Sequence, residues 1–130
     1  MNKIPSIEDA EWLWKIYAPK AKPQGDCLLL GSPGEYYKIR RTLPSGKKVV
    51  IRAHQLALFL KLNTLELPNG TEADPIEASH LCHNKNCIQQ EHLTAEPHSI
   101  NMRRTWCNSE RVVHGPKYCG GHGDGIPLCL

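Results

Sequence analysis

The sequence predicts a small α+β domain stapled by zinc, with one basic antiparallel β-hairpin and a few short helices. Three observations predict it. The chain has 130 residues, with 10 Gly and 10 Pro against few aromatics (Phe 1, Tyr 4, Trp 3). That size fits one compact domain with a modest core and many loops. Such a core needs staples, and six Cys and seven His supply the material. Finally, apolar residues recur at helical spacing near the N-terminus and alternate with basic ones in a central segment.

A single domain over residues 1–130 divides into four stretches: 1–26, an N-terminal helix and linker; 27–62, a basic hairpin and helix; 76–107, a core with the first metal site; and 107–130, a second metal site. Ser6 to Tyr17 reads as a helix. Ser6 caps it, Asp9 follows three residues on, and Ile7, Trp12, Leu13 and Ile16 form its apolar face. "APKAKPQG" stops it. "YYKIRRTLPSGKKVVIRAHQ" reads as a hairpin, with alternation through Lys38, Ile39 and Arg40, a "PSG" turn, and β-branched Val49, Val50 and Ile51 on the return. "AHQLALFLKLN" reads as a short core helix and "PNGTEADP" as a loop.

No apolar run approaches the roughly 18 residues of a membrane span. "MNKIPSIEDAEWLW" lacks the apolar centre of a signal peptide and carries acids early. An intracellular, reducing compartment (cytoplasm or nucleus) is expected, where thiols meet metals more often than each other. A disulfide-rich extracellular protein is the competing reading. Net charge is +3, but its distribution is uneven: Tyr36 to Leu65 holds no acid and seven bases, Lys38, Arg40, Arg41, Lys47, Lys48, Arg52 and Lys61. A one-sign segment is either a solvated face or a surface for an anionic partner, DNA first. A basic two-stranded ribbon fits a DNA major groove.

Cys82-x4-Cys87-x4-His92 offers three ligands in eleven residues, and Cys27 upstream is the fourth that a tetrahedral structural zinc requires. Cys107-x11-Cys119-x2-His122-x6-Cys129 forms a second Cys3His set, in which His114 is an alternative to His122. All six Cys are then used, with one His in each set. With so small a core, zinc binding is expected to supply folding free energy directly.

The stretch "ASHLCHNKNCIQQEHLTAEPHSINMRRTWC", residues 78–107, resembles the His-Cys box homing endonucleases of the His-Me finger, or ββα-metal, nuclease superfamily. The shared pattern is Ser-His-Leu-Cys-His-Asn, then Cys, His-Leu, Asn and Arg-x-Trp-Cys. The resemblance implies a ββα-metal fold, with Cys82, Cys87, His92 and an upstream Cys as one zinc site and a second site starting at Cys107. It implies that His80 activates water and that Asn101 binds a divalent cation, Mg2+ by the hardness of its amide oxygen. An arginine from the basic hairpin acts at the phosphate in that family. Arg40 and Arg41 lead here and Arg52 is third. Lys38, Arg40, Lys47, Lys48 and Arg52 are the expected hairpin contacts to DNA, and Arg103 and Arg104 the expected helix contacts to its backbone.

Local chemistry agrees. Phosphodiester cleavage needs a nucleophilic water and charge stabilisation at the phosphate, and a neutral His is a good base near pH 7. In an extended segment His80 and Cys82 would project to one side. "HLTAE" is the expected second strand of the finger and "PHSINMRRTW" its helix, with Pro97 at the first turn. The plainer roles are a zinc ligand or hydrogen-bonded core residue for His80, a cap or solvent residue for Asn101, packing or hydrogen bonding for His83, a turn for Asn84, and a cap or phosphate contact for His98. The expected function is a Mg2+-dependent DNA endonuclease or nickase with two structural Zn2+. The alternative is a non-catalytic, zinc-stabilised DNA-binding module. The homing enzymes dimerise through a tail beyond the second zinc site; this sequence ends at Leu130, so a homodimer and a single-strand nicking monomer both stay open.

Overall fold

A computed structural model describes residues 4–130; residues 1–3, part of the stretch read above as lacking a signal peptide, lie outside it. Helix α1 (Ile7–Tyr17) starts where Ser6 Oγ accepts from the Asp9 amide at 3.1 Å. Its fully buried stripe is Ala10, Leu13 and Tyr17, with Trp12, Trp14 and Ile16 packed at the margin. The stripe is rotated from the expected one, and only Leu13 is common to both.

A short hairpin that the sequence reading lacks follows: β1 (Lys22–Gln24) pairs with β2 (Cys27–Leu29), and Gly25 takes φ 58 at the turn. Three-residue strands, one containing Pro23, carry too little periodicity to be read. Their effect is local and large, because β2 delivers Cys27.

The basic hairpin forms as expected. β3 (Lys38–Thr42) pairs with β4 (Lys48–Arg52) in the register Lys38–Arg52 to Thr42–Lys48. Ile39, Val49 and Ile51 are buried, while Lys38, Arg40 and Lys48 stay on the outer side. Helix α2 (Ala53–Leu62) follows directly, burying His54, Leu56, Ala57 and Leu58, and ends on Asn63 in the left-handed conformation.

β5 (Ile76–His80) and β6 (Leu93–Pro97) form a third antiparallel pair, with His80 opposite Leu93, and α3 (His98–His114) packs against both. This is the expected strand–strand–helix order. Two details differ. β5 ends at His80 and the chain turns at Leu81–Cys82, so the alternation argument for His80 and Cys82 does not hold. α3 also runs to His114, carrying Cys107 on the helix. No Gly or Pro interrupts it before Gly115, whose φ of 106 ends it. Its start is fixed from a distance: Asp74, in the loop before β5, accepts from the Ser99 amide at 2.8 Å and from its hydroxyl at 2.7 Å.

The core joins Leu13 and Tyr17 of α1, Ile39, Val49 and Ile51 of the basic hairpin, Leu56 and Leu58 of α2, and Ile88 and Leu93 near the metal loop. Among the described residues, no helix is long and apolar enough to cross a membrane.

Candidate metal centres and active site

The twelve residues between β5 and β6 form a loop with almost no regular structure. Such a loop needs outside support, and it has two kinds. The first is backbone pairing with β2: the Ile88 amide donates to the Leu28 carbonyl at 2.7 Å, and the Leu30 amide to the Asn86 carbonyl at 2.9 Å. The second is the cluster of Cys27, Cys82, Cys87 and His92, whose ligand atoms lie within 4.8 Å of one another. His92 Nδ1 is 3.4 Å from Cys27 Sγ and 3.6 Å from Cys87 Sγ. Asn84 Nδ2 donates to Cys27 Sγ at 3.2 Å, and the Asn84 carbonyl accepts from the Cys87 amide. Asn84 therefore turns the loop and supports a ligand.

The second cluster is Cys107, Cys119, His122 and Cys129, again within 4.8 Å. His122 Nε2 lies 3.2 Å from Cys119 Sγ, 3.3 Å from Cys129 Sγ and 3.6 Å from Cys107 Sγ. His114 is not part of it; it stacks on Tyr118 at 4.4 Å.

Both clusters fit zinc. They are Cys3His sets with mostly buried ligands and no disulfide among the described residues, and tetrahedral Zn–S bonds of about 2.3 Å would bring the ligand atoms together within about 4 Å. The thiols of the first site also oppose one another. The interaction between Cys82 and Cys87 holds Cys87 well below the ordinary thiol range and raises Cys82, and burial raises Cys27. A dication relieves that conflict by taking all three as thiolates.

The two sites are linked. The Leu130 amide donates to the Leu81 carbonyl at 2.7 Å, joining the residue after Cys129 to the residue before Cys82. Arg104 makes a second link. It is only 1 % exposed, pairs through two nitrogens with Glu96 (one bond 2.8 Å), and reaches Cys129 Sγ at 3.4 Å and the Pro127 carbonyl at 2.9 Å. Burial works against its charge, but Glu96 and Cys129 outweigh burial and raise its pKa. The expected role of Arg104 in contacting DNA is corrected here: its guanidinium is consumed inside the fold. Arg103 beside it is exposed.

Between β5, the metal loop and α3 lies a cleft of about 130 Å³, lined by residues including Tyr36, His80, His83, Lys85, Asn101 and Asn108. His80 is 8 % exposed. Its Nε2 lies 2.9 Å from the Cys87 carbonyl, which only accepts, so Nε2 carries the proton and Nδ1 is the free base. Burial lowers its pKa and so favours the neutral ring, against the hydrogen bond to the Cys87 carbonyl, which raises it. Asn101 enters the cleft from the second turn of α3. Its Nδ2 donates to Glu77 Oε1 at 2.6 Å, and its Oδ1 accepts from Ser79 Oγ at 2.9 Å.

The family described as the zinc-binding loop region of homing endonuclease matches residues 31–124, most of the chain. This chain belongs to that family. No curated protein and no solved structure matches it. Family membership points to nuclease-related chemistry, and the two clusters to zinc. The matched span stops short of Cys27 and Cys129 at either end, yet the fold of this homing-endonuclease relative brings both into Cys3His sets.

Other expected residues are placed differently. Arg40 and Arg41 line a shallow groove on the hairpin with Thr42 and Lys48, and do not line the His80 cleft. Arg41 lies over Trp12 and Tyr17, 5.7 and 5.8 Å from their ring centres, held toward α1 by cation–π attraction. Arg52 is the hairpin arginine that approaches the cleft. Its guanidinium sits 4.5 Å over Tyr36, which stacks on both His54 and His80, while the two imidazoles meet at a tilt. Lys85 approaches the same Tyr36 ring at 5.5 Å.

Several residues around the cleft escaped the sequence reading. His54 on α2 stands 4.7 Å from His80, ring centre to ring centre, and burial, then His80 and Arg52, push its pKa well down. It reads in sequence as one more position of an apolar helix. Glu77 and Ser79 were findable: once β5 is drawn, residues two apart share a face, and that face meets α3. His98 Nδ1 lies at hydrogen-bond distance, 3.0 Å, from Glu77 Oε1, and His83, at φ 63, is held near pKa 4, first by burial.

Proposed function

We propose that this chain is a divalent-metal-dependent DNA endonuclease whose general base is His80. The observation that carries the proposal is the tautomer. The Cys87 carbonyl accepts a hydrogen bond from Nε2–H, which leaves Nδ1 of the neutral ring unprotonated, and His80 lines a polar cleft with Asn101.

The chemistry follows from these residues. His80 Nδ1 accepts a proton from water as its oxygen attacks phosphorus, and the bond to the 3′ oxygen breaks. The imidazolium so formed keeps its Nε2–H on the Cys87 carbonyl, which stabilises the new charge. A bound Mg2+ supplies Lewis acidity at the scissile phosphate and leaving oxygen. Asn101 Oδ1, a hard oxygen with one lone pair left beside its Ser79 bond, is the ligand this chain offers for it. Arg52 and Lys85, gathered over Tyr36, are placed to hold flanking phosphates. Lys38, Arg40, Lys47 and Lys48 on the outer hairpin are the proposed groove contacts, and Arg103 a backbone contact.

The test is conversion of supercoiled plasmid in Mg2+ by the zinc-loaded wild type and Asn101→Ala. The wild type is expected to nick or linearise the plasmid, and the variant to lose at least about a hundredfold in rate while still binding it. Nicked product fits one site per DNA; linear product fits paired sites. If the wild type binds varied plasmid and genomic DNA but cuts none, the chain is a zinc-stabilised DNA-binding module.

A further inference from the structure

Asn101 is held by two side chains of β5, Glu77 and Ser79, to which the sequence reading gave no role. Its Nδ2 donates to Glu77 Oε1 at 2.6 Å and its Oδ1 accepts from Ser79 Oγ at 2.9 Å. The same Glu77 oxygen meets His98 Nδ1 at 3.0 Å, one turn earlier on α3. A carboxylate accepts and does not donate, whereas an amide presents an oxygen on one side and N–H groups on the other. Glu77 therefore dictates that nitrogen faces it and that oxygen faces the serine hydroxyl.

We infer that Glu77 is a positioning residue that locks the Asn101 amide so that its oxygen, not its nitrogen, is presented to a divalent cation in the cleft. The inference rests on the assignment of Asn101 as the cation ligand above. A free carboxamide interchanges oxygen and nitrogen by rotating about its last bond. In the flipped state it would point N–H groups at a cation and repel it. The hydrogen bond to Glu77 removes that state, and His98 holds the carboxylate in place. Glu77 Oε1 meets two nitrogens, so that oxygen is used in supporting the ligand. Outer partners of this kind change metal affinity by about 10- to 100-fold.

The experiment is a Mn2+ titration followed by electron paramagnetic resonance on the full, zinc-loaded chain. It compares wild type, Glu77→Ala, Glu77→Gln and Asn101→Ala, with zinc content measured in each. Asn101→Ala defines the binding that belongs to this site. Glu77→Ala is expected to weaken that binding about tenfold or more while retaining both zinc ions. Glu77→Gln is expected to stay within about threefold of wild type, because its amide oxygen still accepts from Asn101. Unchanged binding in Glu77→Ala overturns the inference alone. An equal loss in Glu77→Gln and Glu77→Ala also overturns it, because the carboxylate charge then matters in its own right. Wild-type Mn2+ binding that is indifferent to Asn101→Ala removes the cation ligand itself, and with it the mechanism proposed for the cleft.

Discussion

Stripping zinc is expected to abolish cooperative folding of this chain. The apolar core is built largely from α1, the basic hairpin and α2, whereas the loop between β5 and β6 and everything after α3 contain almost no regular structure. Those segments are held by the two Cys3His sets and a few backbone bonds. Structural zinc contributes apparent free energies of about 10–16 kcal/mol in zinc-finger peptides at pH 7, as much as the whole stability of an ordinary domain, about 5–15 kcal/mol. Loss of both ions should therefore leave no folded majority. Thermal melts followed by circular dichroism, before and after a strong chelator, read this directly. The expected result is a sigmoidal transition that disappears with the metal and returns when zinc is restored. A transition that survives verified zinc removal would contradict it.

Arg104→Met is expected to be the most destabilising single substitution outside the metal ligands. Arg104 and Glu96 are 1 % and 3 % exposed and pair through two bonds. Removing one member of such a pair leaves an uncompensated buried charge, at a cost of about 3–5 kcal/mol. Replacing both members with apolar residues of similar volume is often neutral, so Arg104→Met/Glu96→Leu should recover most of the loss in the pair itself. It should not recover the contacts of Arg104 to Cys129 and Pro127, and the second zinc site should still release its metal more readily. Urea midpoints of zinc-loaded protein measure the first effect, and zinc release to a chromogenic chelator measures the second. Equal stability of wild type and Arg104→Met would show that Glu96 is not left stranded.

Much of the site was legible because its chemistry is concentrated in short spacings. Cys82, Cys87 and His92 lie on one loop, and His80 and Asn101 sit on the strand before it and the helix after it. The helical and alternating patterns at Ser6–Tyr17 and Lys38–Arg52 were strong enough to place α1 and the basic hairpin. What was hidden depends on three-dimensional approach. Arg103 and Arg104 are neighbours in sequence, and only packing against Glu96 makes one a surface residue and the other a buried brace. Arg52 was ranked behind Arg40 and Arg41, and the stacking of Tyr36, His54 and His80 that favours it joins three separate segments. The β1–β2 hairpin was missed because three-residue strands show no period, though it is the reason Cys27 reaches the loop.

The central claim is that His80 acts as the base. It is tested most directly by comparing cleavage and binding of supercoiled plasmid by wild type and His80→Ala, both zinc-loaded and folded. Removing a general base lowers rates by about 10²–10⁴-fold, and His80 is not one of the eight residues in the two metal clusters. The account predicts a loss of that size with binding and zinc content unchanged. Equal cleavage by wild type and His80→Ala would contradict it and move the base to another group in the cleft.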